Sequence, residues 1–135
     1  METRFLLDTD ICVYVRQKKS ESLLRRFYGV QPGEAAVSVV TFGELLYGAL
    51  KRGSIAAEKE KWLELMHLLP VLPFPVETSE KYARLRADLE ASGKIIGNNN
   101  LWIAAHALAA GLTLVTNNEK EFRRVRGLKV QNWAR

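Results

Sequence analysis

The sequence predicts a single α/β domain over residues 1–135, with a mostly parallel central sheet and helices on both faces. Three observations carry this reading. Short apolar runs alternate with helical patterns along the chain, the rhythm whose right-handed crossovers set neighbouring strands parallel. The run at 35–40, AAVSVV, carries no charge, as a strand covered on both faces requires. And 135 residues make one domain, enough to bury about two-thirds of the surface that the unfolded chain exposes.

The elements follow in order. Residues 4–7 form a short apolar run stopped by Asp8, and residues 10–15 lead into the basic stretch 16–19, so strand, turn and helix are predicted there. A second short helix fits 22–28, and Gln31-Pro32-Gly33 reads as a turn. After the strand at 35–40, Thr41-Phe42-Gly43-Glu44 has capping-box spacing, which predicts a helix over 41–51 closed near Gly53. Residues 54–69 place Trp62, Leu65, Met66 and Leu69 at helical spacing, and 70–74 is extended. Tyr82, Leu85 and Leu89 share one face of a helix at 78–92, with Gly93 as its stop. The next helix opens in Asn98-Asn99-Asn100, where Asn98 and Asn99 suit an N-cap, and ends at Gly111. A strand at 113–116, a short helix at 119–124 and a last strand at 128–133 complete the chain.

Composition narrows the function classes. The longest apolar stretch, 101–110, is interrupted by His106 and is half what a bilayer needs, and no signal-peptide core opens the chain, so a cytoplasmic protein without a membrane partner is expected. Cys12 stands alone, which rules out an internal disulfide and a cysteine zinc site, leaving oxygen as the ligand for any metal. The net charge of +5 concentrates in two segments. Residues 16–26 carry five cations against one acid, and residues 117–135 carry six against two. Such a balance favours an anionic partner, nucleic acid above all, although solvated helix faces explain the same charges.

In a parallel sheet the site lies beyond the carboxyl ends of the strands. Asp8 follows the first strand, Glu44 lies one helical turn beyond the second, Asn100 opens the helix before the fourth, and Asn118 and Glu121 follow the fourth. All five are expected at one edge. Taken singly each has a plainer explanation, since Asp8 and Asp10 both suit a cap and Glu44 sits where a capping box wants glutamate. Together they exceed it, because caps do not require acids after consecutive strands on one side of a sheet. Clustered carboxylates also repel and call for a cation.

FLLDTDICVY (5–14), the Ser38-x-x-Thr41-x-x-Glu44 pattern, IGNNNLWIAAHAL (96–108) and LVTNNEKEF (114–122) occur in an order and spacing that resembles a PIN-domain nuclease of the VapC toxin type, over residues 5–133. The resemblance implies a Mg²⁺ or Mn²⁺ site whose acids map onto Asp8, Glu44, the position of Asn100, and either Asn118 or Glu121. Asp8 and Asn100 would be direct ligands. Thr9, Ser38 and Thr116 match polar positions behind the acids. It implies an endoribonuclease acting on tRNA or other structured RNA. Among the cations of the two basic segments, Arg16, Lys18, Lys19, Arg123, Arg124 and Arg126 are candidates for holding the RNA backbone. The resemblance also implies a VapB-like antitoxin whose tail enters the groove, a homodimer, and a larger toxin–antitoxin assembly. Tyr14, Phe42, Tyr47 and Trp102 suit either that groove or the core, whereas His67 and His106 read as structural.

Two positions depart from the family pattern. Asp10 stands where the family has Asn, and Asn100 stands where the Gly-x-Asn-Asp pattern ends in Asp. The shapes of Asn and Asp are nearly the same, so the fold should tolerate the second change. A divalent ion should not, because an amide offers one neutral oxygen and an NH₂ that repels cations. At about 4 Å and an effective dielectric of about 20, one unit charge on a divalent ion is worth roughly 8 kcal/mol before desolvation offsets most of it. The chain is therefore expected to be weakly active or inactive. A disabling laboratory substitution and a naturally degenerate gene both account for Asn100. Two rivals remain at this stage, a non-catalytic RNA-binding or antitoxin-sequestering module and a structure-specific DNA nuclease of the wider PIN group.

Overall fold

The computed structural model describes residues 2–53 and 55–135. Strand β1 (Phe5–Leu7) leads into α1 (Thr9–Gln17) and α2 (Glu21–Gly29), and β2 (Ala35–Ser38) into α3 (Val39–Lys51) and α4 (Ile55–Met66). Then β3 (Val71–Leu72) precedes α5 (Thr78–Ala91) and α6 (Asn98–Ala110), and β4 (Thr113–Val115) precedes α7 (Glu119–Phe122) and β5 (Val130–Gln131). The strand order is β3-β2-β1-β4-β5, and all four pairings are parallel. The expected mostly parallel sheet is thus wholly parallel.

The period-2 alternation of β1 divides the core between the two faces of the sheet. Phe5 and Leu7 join Ile11, Cys12 and Val15 of α1, Leu23 and Phe27 of α2, and Trp62 of α4. Leu6 faces the other way, onto Leu89 of α5, Leu101, Ile103 and Ala104 of α6, and Phe122 of α7. Phe5, Leu6 and Leu7 are all buried, so β1 lies at the centre of the molecule. From it the chain runs outward to β2 and β3, then returns to build β4 and β5 on the opposite side. The reversal falls between β1 and β4, which makes their carboxyl ends the crevice where such sheets hold ligands.

Several element bounds differ from the expected ones, and one difference matters. The ladder of β2 stops at Ser38, whose hydroxyl accepts from the Val40 amide at 3.1 Å and caps α3. The helix therefore starts at Val39 rather than Thr41, because a serine with extended φ/ψ outcompetes the downstream threonine for the cap. Glu44 consequently lies in the second turn of α3 and takes no part in a capping box. Its carboxylate is left for other work. The expected helix start at Ser54 lies outside the described residues. At the far end β5 is shorter than the predicted 128–133, and Trp133 instead buries itself edge-on against Phe5 at 5.0 Å.

Candidate active site

Asp8 ends β1 and caps α1, and both roles come from one carboxyl group. Oδ1 accepts from the Ile11 amide at 3.0 Å, while Oδ2 accepts from the Thr116 hydroxyl at 2.5 Å. Thr116 immediately follows β4, so this bond spans the switch point of the sheet. Burial of Asp8, only 4% exposed, pushes its carboxyl up to about 7, against the pull of the bonds from Thr116 and Ile11. The negative charges of Asp10 and Glu44 push the same way. Asp10 itself is exposed in the first turn of α1, and the cap belongs to Asp8.

Glu44 projects from α3 toward the start of α1. Its Oε1 accepts from the Thr9 hydroxyl at 2.5 Å, and its Oε2 accepts from Nδ2 of Asn99 at 3.3 Å. Thr9 Oγ1 also stands 3.3 Å from the hydroxyl of the buried Thr41. Thr9, Val40, Glu44, Tyr47 and Asn99 line a cleft of about 650 Å³. Its opening is broad.

The third group gathers on the β4 side. Glu121 Oε1 accepts from the Gly97 amide at 2.9 Å and from Asn100 Nδ2 at 3.3 Å, and Oε2 accepts from Asn118 Nδ2 at 2.8 Å. Burial works to raise the Glu121 carboxyl, but the bonds from Gly97, Asn118 and Asn100 outweigh it, with help from the Arg124 charge, and hold it below the usual carboxylate range. Asn118 is in turn fixed by its own amide, which donates to Thr116 Oγ1 at 2.9 Å. Thr116 thus links the two halves, donating to Asp8 and accepting from Asn118.

Neither Asn98 nor Asn99 caps α6, contrary to expectation. The N-cap is Gly97, without a side-chain bond, while Asn98 accepts from the Tyr82 hydroxyl at 2.5 Å and Asn99 turns to Glu44. Asn99 and the Gly97 amide are site components that sequence reasoning missed, while Thr41, read there only as part of a motif, joins the site through Thr9. A backbone donor leaves no residue-type signal, and Asn99 was absorbed by the cap explanation. Ser38 is spent on capping α3. His106 is buried against Phe74, edge-on at 5.2 Å, and burial lowers its basicity. Trp102 is stacked between Tyr82 and Phe74, which leaves Tyr47, 63% exposed, as the open aromatic of the cleft.

The basic candidates separate. Arg16 pairs with Glu58 at 2.5 Å and lies over the Trp62 ring. Lys18 closes α1 in the left-handed region (φ 54°), and Lys19 sits over Tyr14. α1 starts at the site, so about 1.5 Å of rise per residue carries these three cations to its far end, roughly 12–16 Å away. Arg123 pairs with Glu119 at 3.1 Å, whereas Arg124 lies close enough to Glu121 to act on its carboxylate.

The donors beside the crevice are oxygens, and among the described residues Asp8 faces negative neighbours without a compensating cation. In kind they fit a hard divalent ion. In number they fall short of a full set, because among the described residues no three His, Cys, Asp or Glu side chains gather as metal ligands do. The amide of Asn100 is one reason, since it donates to Glu121 where a carboxylate would repel it.

Comparison with known proteins follows the same outline. Residues 5–128 match the PIN domain. The chain is 38% identical to Ribonuclease VapC2 of Rickettsia felis over 130 residues, covering 96% of this chain and 97% of that one. It is 34% identical to the tRNA(fMet)-specific endonuclease VapC of Shigella flexneri over 131 residues, covering 97% and 98%. Among solved structures, VapBC2 from Rickettsia felis bound to a promoter DNA fragment superposes with a TM-score of 0.89 at 36% identity, over 97% of this chain and 99% of that one. VapBC-1 from nontypeable Haemophilus influenzae gives 0.91 at 30% identity, over 98% and 100%.

Proposed function

From the premise that this chain belongs to the PIN-domain family, alongside VapC ribonucleases, we propose that it is a VapC-type endoribonuclease toxin whose activity is held down by Asn100. The observation that carries the proposal is the crevice between β1 and β4, where Asp8 is buried among negative neighbours while Glu121 is already satisfied by amides.

A divalent cation, Mg²⁺ or Mn²⁺, held by Asp8 and the side-chain oxygen of Asn100 would supply a water of lowered pKa and neutralise charge growing on the scissile phosphate. The chain's own residues do the rest. Thr116 and the Ile11 amide fix the two Asp8 oxygens and favour the ionised form. Thr9 and Asn99 hold Glu44 at the cleft, where its carboxylate orients the attacking water. Glu121, gripped by Gly97, Asn118 and Asn100, sets the far wall. Hydrolysis by water leaves a 5′-phosphate and a 3′-hydroxyl, with no histidine or serine required.

Asn100 weakens this arrangement twice. It offers no negative charge, and its NH₂ joins Gly97, Asn118 and the Arg124 charge in stabilising Glu121 without a metal ion. The same observation favours a second reading, a non-catalytic module that binds RNA or sequesters antitoxin. The substrate we assign is structured RNA, tRNA by analogy with the Shigella relative. The partner is a VapB-like antitoxin whose basic side chain enters the cleft beside Glu44, within a homodimeric and hetero-oligomeric assembly.

The deciding experiment is cleavage of a labelled tRNA pool with Mg²⁺ or EDTA by this chain and by its Asn100→Asp variant. Cleavage by the variant, abolished by EDTA, is the expected result. Binding without cleavage by both proteins would hand the function to the second reading.

A further inference from the structure

Outside the acidic cleft, the loop after α5 and the loop after α7 bring Lys94, Arg124 and Arg126 to the edge of a second open cleft of about 370 Å³, beside Leu85, Leu89 and Asp88. Three cations face one acid. All three are exposed, and among the described residues none of them forms an ion pair. Among the arginines, Arg4, Arg16, Arg52, Arg84, Arg86, Arg123 and Arg135 each sit against a carboxylate, so Arg124 and Arg126 are with Arg25 and Arg26 the ones left unpaired among the described residues. Arg124 is also pre-positioned, because Nη1 donates to the Ile95 carbonyl at 2.9 Å and ties it to the loop that precedes α6. That anchoring reduces the entropy lost when its remaining donors take a ligand.

Arg124 stands between the two clefts. Its charge acts on Glu121 on one side, and it lines the basic cleft on the other. We propose that the cleft of Lys94, Arg124 and Arg126 holds the phosphodiester backbone of the RNA substrate as it runs away from the acid cluster. The proposal rests on the ribonuclease reading above. It adds Lys94, which neither the motifs nor the acid cluster singled out, and makes this flank the binding track in place of the far end of α1. Guanidinium forks suit phosphate oxygens, and an excess of unpaired cations suits a polyanion. A protein-docking patch would instead deplete charge at its centre and gather aromatics, which this cleft lacks.

The test uses fluorescence anisotropy of a labelled tRNA pool in EDTA across a salt series. It compares the unmodified chain, Lys94→Glu/Arg126→Glu, the milder Lys94→Ala/Arg126→Ala, and the control Lys59→Glu/Lys61→Glu. The control carries the same charge change on α4, which packs on the opposite face of the sheet. The Glu pair should bind at least tenfold more weakly than the control. Loss of two phosphate contacts by the Ala pair should flatten the plot of log affinity against log salt by about 1.4–1.8. The substituted side chains are exposed, and unchanged melting temperatures check that the fold is kept. Equal losses in the Glu pair and the control would reduce the effect to net charge and overturn the proposal. So would unchanged RNA binding with weakened binding of polyglutamate, which would give the cleft to an acidic protein. If the unmodified chain binds no RNA at any salt, the ribonuclease reading falls and the proposal with it; if it binds and only the cleft pair is silent, the proposal falls alone.

Discussion

The two walls of the crevice solve the same electrostatic problem in opposite ways. On the β1 wall, Asp8 is buried beside the charges of Asp10 and Glu44, and its carboxyl rises to about 7. On the β4 wall, Glu121 receives bonds from Gly97, Asn100 and Asn118 and falls below the usual carboxylate range. The first wall keeps a charge deficit that a cation would fill. The second has filled its own with amides and the nearby Arg124 charge. The difference shows that an amide at position 100, donating to Glu121 at 3.3 Å, helps settle one half of the site within the protein while the other half stays under like-charge repulsion.

The largest change is expected from placing an acid at position 100. Asn100→Asp would place a carboxylate about 3.3 Å from Glu121, where only a cation relieves the repulsion. Cleavage of tRNA in Mg²⁺ should rise on the order of 100-fold, the upper end of what metal-site partners contribute. Melting measured with and without Mn²⁺ should show a metal-induced rise in the variant well above that of the unmodified chain. Equal rises would mean that Asn100 already serves as a full ligand.

The next effect is in pH. The folded Asp8 holds its proton from about 3.8 to about 7, where the unfolded residue has lost it. Its contribution to stability is therefore fully present below about 3.8 and is lost as pH rises through about 7. At about 1.4 kcal/mol per unit the ceiling is about 4 kcal/mol, and about 2 kcal/mol is expected once the site relaxes. Urea unfolding across pH 4–8 should show Asp8→Asn gaining on the unmodified chain as pH rises. Glu58, Glu119 and Glu121 have lowered values and act in the opposite sense, but they are common to both proteins. A constant difference across pH would remove the buried-charge account of Asp8.

Smaller effects probe the link between the walls. Thr116→Val keeps the shape but removes the donor to Asp8 and the acceptor for the Asn118 amide, at a cost of about 1–2 kcal/mol. The Asp8 titration followed by NMR should move further up. Asn118→Ala removes one donor from Glu121 and should cost about 1 kcal/mol, with the Glu121 titration moving back toward its ordinary range. If the Glu121 titration stays put, Gly97, Asn100 and the Arg124 charge account for it without Asn118.

Local pattern was enough for much of the fold. The uncharged run at 35–38, the alternation of elements and the Gly111 stop, which adopts φ 69°, each reflect an interaction within a few residues. Errors arose where two local signals competed. Ser38 and Thr41 both offer a cap to α3, and only the end of the β2 ladder, at the Ser38↔Leu72 register, selects the first. Asn98 and Asn99 both suit a cap, yet Tyr82 and Glu44, 16 and 55 residues distant, claim their side chains. Arg16 reads as a free cation until Glu58 is folded against it from 42 residues away.

By itself, then, the sequence determined the α/β class and the edge of the sheet on which Asp8, Glu44, Asn100, Asn118 and Glu121 fall. Periodicity, chain order and residue chemistry suffice for these, whereas the reading of Asn100 as a departure came from the family resemblance. Only the tertiary structure decided which of those groups stay under like-charge repulsion and which are already compensated. Desolvation of Asp8, the amide grip on Glu121 and the pairing of Arg16 depend on atoms brought together from distant parts of the chain, and no local pattern records that proximity.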